Sequence, residues 1–288
     1  MNEPIITLLT DFGLADHYVA AMKGVILGIC PRARLVDITH QITPFSIPQG
    51  AYTLAQAWRY FPKGTVHLAV VDPGVGSARR AMAAEIDGHR FVAPDNGLLT
   101  MVLASGGNAK LREITVRRYF RDPVSNTFHG RDIFAPVAAH LAAGLALAKT
   151  GKPISDPVMG GFAKPVQLAD NQWRGAVLSV DTFGNIVTNF DSATFHEVAR
   201  RPFSLKLASR ALTGYAATYR SAPAKKPFII PGSSGYLEVS INQFSASASL
   251  RAGPGAAVVL KWEQDHISSG IGLVIRSKDE YTGTNRRK

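Results

Sequence analysis

Cysteine is nearly absent: Cys30 is the only one in 288 residues, so no disulfide forms within the chain and a reducing compartment is expected. The thiol ends an apolar stretch just before Pro31. It reads as a buried structural side chain, with a nucleophilic role as the alternative. Long apolar runs are missing as well. The most apolar helical stretch, 137–148, is short and interrupted by His140, which excludes a bilayer span there. The N-terminal residues show no basic region ahead of an apolar run, so a cytoplasmic location is expected. Acidic residues are the scarcer sign, 21 against 32 Lys and Arg, for a net charge of +11. The basic residues are scattered apart from Arg200-Arg201, Lys225-Lys226 and Arg286-Arg287-Lys288, with no stripe interleaved with aromatics. That favours a solvated basic surface over a nucleic-acid interface.

Common nucleotide and metal signatures are also missing. There is no Walker loop, no H-E-x-x-H and no cluster of metal-ligand residues. Gly74-Val-Gly76-Ser-Ala-Arg79 begins like a dinucleotide fingerprint, but Arg79 stands where the third glycine is required.

What is present is a globular, turn-rich composition: 46% hydrophobic residues, with 26 Gly and 17 Pro. The first half alternates strand-like and helical runs: strands over Ile5–Thr10, Arg34–Thr39 and 65–71, helices over 16–30 and 48–60. A hairpin over 82–93 turns at Asp87-Gly88, and a strongly apolar helix is expected over 131–147. This alternation predicts an α/β domain over 1–152, with a mostly parallel central sheet flanked by helices. A loop-like connector covers 153–170. From 171 to 288 short strands follow one another (175–180, 184–188, 227–230, 236–240, 257–261 and 271–275), which predicts a smaller β-barrel-like domain.

Four segments place polar groups at strand ends. Asp11 leaves the first strand, where a carboxylate can accept two hydrogen bonds from a ribose diol; Asp16 reads equally well as a helix cap. Asp72 ends an apolar strand, Pro73-Gly74 turns the chain, and Arg79 has enough length to fold back onto Asp72. Such a pair keeps the carboxylate ionised and oriented, whether for chemistry or to brace the loop. His129 precedes an apolar helix, with Asp132 or Ser125 available to orient it; alone it is as readily a cap or a core polar group. The turn at Asp181, Phe183 and Asn185 offers a carboxylate, an aromatic ring and an amide close together.

The ordered set T-D-F-G, V-V-D-P-G-V-G with Arg79 seven residues after Asp72, A-P-D-N-G at 93–97, F-H-G-R-D-I-F-A-P and V-D-x-F-G-N-x-x-T-N spans nearly the whole chain. It resembles the S-adenosyl-L-methionine hydroxide adenosyltransferases, relatives of the fluorinase and chlorinase enzymes. The resemblance implies hydrolysis of S-adenosyl-L-methionine to adenosine and L-methionine, by water attacking the ribose 5′ carbon. It implies no cofactor and no metal, because the sulfonium is already a good leaving group. It further implies a homotrimer with sites between subunits.

Carried over residue by residue, Asp72, Arg79 and His129 surround the water and Asp11 holds the ribose. Phe45 and Phe183 flank the nucleoside, while Asn185 and Gln243 meet the adenine. Asp16, Asp181 and Ser233 meet the methionine end. Halide-using relatives carry arginine where Ser234 stands, and an anionic Asp72 beside a bare halide is repulsive. A non-catalytic adenosine-binding module is the second alternative.

Overall fold

The computed structural model describes residues 3–263. Its first half is a three-layer α/β unit. The sheet contains β1 (Ile5–Thr10), β2 (Arg34–Thr39), β3 (Val66–Val70), β4 (Ala81–Ile86), β5 (His89–Pro94) and β6 (Lys110–Glu113), in the order β2-β1-β3-β5-β4-β6. The first four in that order run parallel, while β4 is antiparallel to β5 and β6.

Because strand side chains alternate between faces, each buried strand feeds two cores. Ile6, Leu8, Leu68 and Val70 face α1 (Tyr18–Ile29) and α4 (Ala135–Ala142). Leu9, Ala69 and Val71 face α2 (Ile47–Ala57) and α3 (Thr100–Ser105). Val19, Met22 and Ile26 recur at helical spacing on the buried side of α1, and Cys30 is buried at its end.

The helix expected over 131–147 is shorter. A π-helical turn, Gly130–Phe134, leads into α4, which stops before Gly144. Pro136 has no N–H to donate in that first turn, and Gly144 takes φ +102, a left-handed geometry that ends a helix.

The second half is an antiparallel, barrel-like sheet. β7 (Val166–Ala169) lies inside the stretch read as a loop-like connector and pairs with β8 (Gln172–Val180). The remaining strands are β9 (Ile186–Asp191), β10 (Phe203–Leu207), β11 (Arg210–Leu212), β12 (Pro227–Pro231), β13 (Tyr236–Ile241) and β14 (Ala257–Trp262). Their order is β11-β10-β14-β8-β9-β13-β12. The first part of β8 pairs with β14 and its end with β9, so this one long strand curves the sheet. The sheet nearly closes where Tyr215, just past β11, bridges to Ile229 in β12. The strand expected over 271–275 lies outside the described residues.

The two halves meet where Ala51 of α2 and Met101 of α3 pack on Leu178 of β8, with the Tyr52 and Tyr236 rings 6.0 Å apart. Among the described residues no helix is long and apolar enough to cross a membrane.

Candidate active site

The carboxyl ends of β1 and β3 lie side by side, with Thr10 in register with Val70. Asp11 and Asp72 therefore leave neighbouring parallel strands at the edge where open α/β sheets gather ligands. Beyond Asp72 the chain makes nested turns: Val75 N–H donates to Asp72 O, and Ser77 N–H and Oγ–H both donate to Gly74 O. These turns return Arg79 to Asp72. Its Nε lies 2.9 Å from Oδ1 and 3.0 Å from Oδ2, and Nη2 also donates to Oδ2.

His129 joins this pair through a contact between loops. Gly76 has φ +78, and a Cβ there would lie 2.4 Å from the carbonyl oxygen of Asn126. Only glycine fits so close an approach in that conformation, and the approach docks the Asp72–Arg79 loop against the segment entering Phe128 and His129. Arg79 Nη2 then sits 2.9 Å from His129 Nδ1. A guanidinium has no acceptor, so Nδ1 accepts and the neutral ring carries its proton on Nε2. Partial burial, and then the positive charge of Arg79, hold His129 below the ordinary histidine range. The Phe134 ring lies 5.1 Å from the guanidinium carbon and steadies it from the other side.

The expected orienting role of Asp132 and Ser125 falls to Arg79. The Asp132 carboxylate is fully engaged by Arg121, Arg131 and the Ser125 N–H.

Asp11 Oδ2 accepts a hydrogen bond from Phe45 N–H at 2.8 Å, and Phe45 adopts φ +67 with its ring 70% exposed. Burial, and then the neighbouring Asp72 charge, raise Asp11, partly offset by that N–H. Asp16 is exposed, and the helix cap is His17 without a side-chain bond, so Asp16 does not cap α1.

The other expected residues gather elsewhere. Asp181, Phe183, Asn185, Ser233 and Gln243 line one cavity of about 640 Å³ in the barrel-like half. That volume falls within the range of small-molecule sites. Asp181 organises its wall, with Oδ1 accepting from the Phe183 and Asn185 N–H groups and Oδ2 from Asn185 Nδ2 at 2.7 Å. The turn presents Phe183 80% exposed. Gly184, at φ +85, lets the turn press on the 243–245 loop, since a Cβ would lie 2.2 Å from Ser245 Oγ.

Among the lining residues that the sequence reading did not place at the site are Tyr219, Phe244 and Glu238. Glu238 carried a legible signal, as the one charged residue in an otherwise apolar or neutral strand. Its neighbours Leu237 and Val239 point into the core, which turns Glu238 to the opposite face. The trio lines no part of this cavity.

The A-P-D-N-G motif proves to be a brace. Asp95 pairs with Arg80, which also holds Asp156, and Asn96 Nδ2 donates to Val71 O next to Asp72.

Residues 6–151 match the SAM hydroxide adenosyltransferase N-terminal domain and residues 175–259 its C-terminal domain. The chain belongs to the SAM hydroxide adenosyltransferase family. An (R)-S-adenosyl-L-methionine hydrolase of Salinispora arenicola is 40% identical over 88% of this chain and 96% of its own. A fluorinase of Actinoplanes sp. is 32% identical over 65% of this chain and 72% of its own. A crystal structure of an uncharacterized conserved protein from Thermotoga maritima superposes with a TM-score of 0.78 at 37% identity, covering 89% of this chain and 99% of that one. The acidic and aromatic groups expected at the site are thus divided between one connected cluster at the sheet edge and one cavity in the barrel-like half.

Proposed function

We propose that this protein hydrolyses S-adenosyl-L-methionine to adenosine and L-methionine, in the cytoplasm and without metal or cofactor. The observation that carries the reading is the single connected group Asp72–Arg79–His129 beside Asp11, in a chain of this family. In the proposed reaction the water oxygen bonds to the ribose 5′ carbon as the carbon–sulfur bond breaks. The bonding pair leaves on methionine sulfur, and one proton leaves the water. His129 Nδ1 is engaged by Arg79 and Nε2 already bears a proton, so neutral His129 donates to and aligns the water while Asp72 receives its proton. Alignment of this kind is worth up to about 7–11 kcal/mol and proton acceptance about 10²–10⁴-fold.

The active assembly is a homotrimer in which one subunit's α/β domain (1–152) faces another's barrel-like domain (171–288). Supporting this reading, the cavity and the trio lie apart on one chain, and each half leaves a large aromatic ring exposed, Phe45 and Phe183. Asp11 then holds the ribose diol. Phe45 and Phe183 enclose the nucleoside, Asn185 and Gln243 meet the adenine, and Asp16, Asp181 and Ser233 meet the amino-acid end.

The deciding experiment incubates purified protein with each sulfonium epimer of the substrate in ¹⁸O water and follows products by chromatography and mass. The (R) form is included because the Salinispora relative is named for it. Labelled adenosine with equimolar methionine, unaffected by chelator, is expected. Binding without turnover would leave a non-catalytic module, and a 5′-halo product with added halide would place the chain with its fluorinase relatives.

A further inference from the structure

We infer that Glu238 is a further substrate-binding residue: its carboxylate receives the α-ammonium group at the amino-acid end of the ligand. The inference rests on the cavity's binding S-adenosyl-L-methionine as proposed above. Two carboxylates line that cavity, and they are not equivalent. Asp181 already accepts three hydrogen bonds from its own turn, so most of its acceptor capacity holds Phe183 and Asn185 and little is left for the amino-acid end. Glu238 accepts none and forms no ion pair among the described residues.

An unpaired, half-buried carboxylate is costly to keep charged, and the cost is recovered when a cation arrives. The groups facing it from surrounding elements are Asp181 at the end of β8, Tyr52 from α2, Tyr236 from β13 itself and Tyr219 from the cavity wall, none of them cationic. Lys225 lies against the Phe244 ring, with Nζ 6.0 Å from its centroid. The location suits the ligand's polar end: Glu238 packs over Gly232, where a Cβ would lie 1.9 Å from Oε1, and Ser233 follows directly.

Burial and the Asp181 charge push Glu238 up to about 7. A cationic ligand group favours the ionised form, so binding below neutrality releases a proton and weakens about tenfold per pH unit. Adenosine, which lacks the ammonium, escapes that penalty.

The test uses full-length wild type, Glu238→Gln and Glu238→Asp. KM and kcat for S-adenosyl-L-methionine, with calorimetric Kd for adenosine and for L-methionine, are measured on both sides of pH ~7. Glu238→Gln is expected to raise KM at alkaline pH about tenfold to a hundredfold, as loss of a charge-assisted bond does, and to abolish the rise in KM on acidification. Adenosine affinity stays unchanged, and Glu238→Asp keeps the pH dependence if the Gln variant does not fold.

An unchanged KM and pH profile overturns the inference, as does an equal loss of affinity for adenosine and the full substrate. A changed sedimentation profile with unchanged KM would instead make Glu238 a subunit contact. Should wild type bind S-adenosyl-L-methionine without turnover, the hydrolase reading fails, while calorimetry on the variants still decides the role of Glu238.

Discussion

Replacing Asp72 with asparagine keeps the side-chain shape and removes the charge. In the structure the Asp72 and Arg79 side chains are only 5% and 11% exposed, so the pair is largely screened from solvent. The asparagine amide either turns its NH2 toward the guanidinium, donor against donor, or keeps one oxygen on it and loses the bidentate grip. Loss of the proposed proton acceptor predicts a fall in kcat of about 10²–10⁴, equivalent to about 2.7–5.4 kcal/mol.

The stability cost lies below the roughly 3–5 kcal/mol of breaking a fully buried pair. Arg79 retains His129 Nδ1 and the Phe134 face after the substitution. Two neighbours report the change independently. Asp72 holds His129 up against Arg79, and it raises Asp11, so both should titrate lower in the variant. The assay is steady-state formation of adenosine, with adenosine Kd and the thermal midpoint as controls. A variant that folds, binds adenosine normally and keeps kcat within about fivefold would refute the role of Asp72 as proton acceptor, because the lost step is worth at least about a hundredfold.

Gly76→Ala forces a Cβ against Asn126 O in a left-handed conformation costing about 1–2 kcal/mol. It should lower the thermal midpoint and cut kcat about a hundredfold by displacing Arg79 from His129; lower stability with intact kcat would show that this approach does not hold the trio. His67 is fully buried between Thr7 Oγ1 at 2.8 Å and His89 Nδ1 at 3.2 Å, and burial lowers it from 6.5 to about 3. The unfolded chain binds that proton first, so the stability contributed by neutral His67 is complete above pH 6.5 and is lost as pH falls toward 3. Urea unfolding should show about 2 kcal/mol lost to His67 between about pH 6.5 and pH 5, a component absent from His67→Phe. Equal slopes in the two proteins would contradict a neutral, buried His67.

Periodicity revealed most of the sheet framework. β1 and β2 carry the predicted bounds, and Asp87-Gly88 set the β4–β5 hairpin. The misses have local causes. β10 and β11 are short, and the alternation of Phe203, Leu205 and Leu207 was overlooked beside the Arg200-Arg201 pair. β7 is fully exposed and gains its strand geometry only by pairing with β8, which no local pattern announces. The site divided along the same line. Asp72 and Arg79 share one short loop, so their pairing was legible from chain length. The approach of His129, which only the family resemblance anticipated, depends on Gly76 meeting Asn126, a contact 50 residues apart in sequence. Asp132 looked available because neither Arg121 nor the Ser125 N–H was known to reach it.

The charges around Asp72 also bear on which nucleophile the site accepts. Asp72 and Arg79 neutralise each other, His129 is held neutral, and Asp11 supplies the remaining negative charge at neutral pH. A site of that balance suits the sulfonium cation and the neutral water of the proposed reaction. A halide placed about 4 Å from a carboxylate without a cationic partner, as Asp11 is, meets a repulsion of order 4 kcal/mol at an effective dielectric of about 20 and must shed its hydration as well. At Asp72 the Arg79 charge offsets most of that repulsion. In the proposed reaction Asp72 would favour water in a second way, by cancelling the Arg79 charge that would otherwise attract a halide. An Asp72→Asn variant that lost hydrolysis and gained halide transfer would separate those two effects.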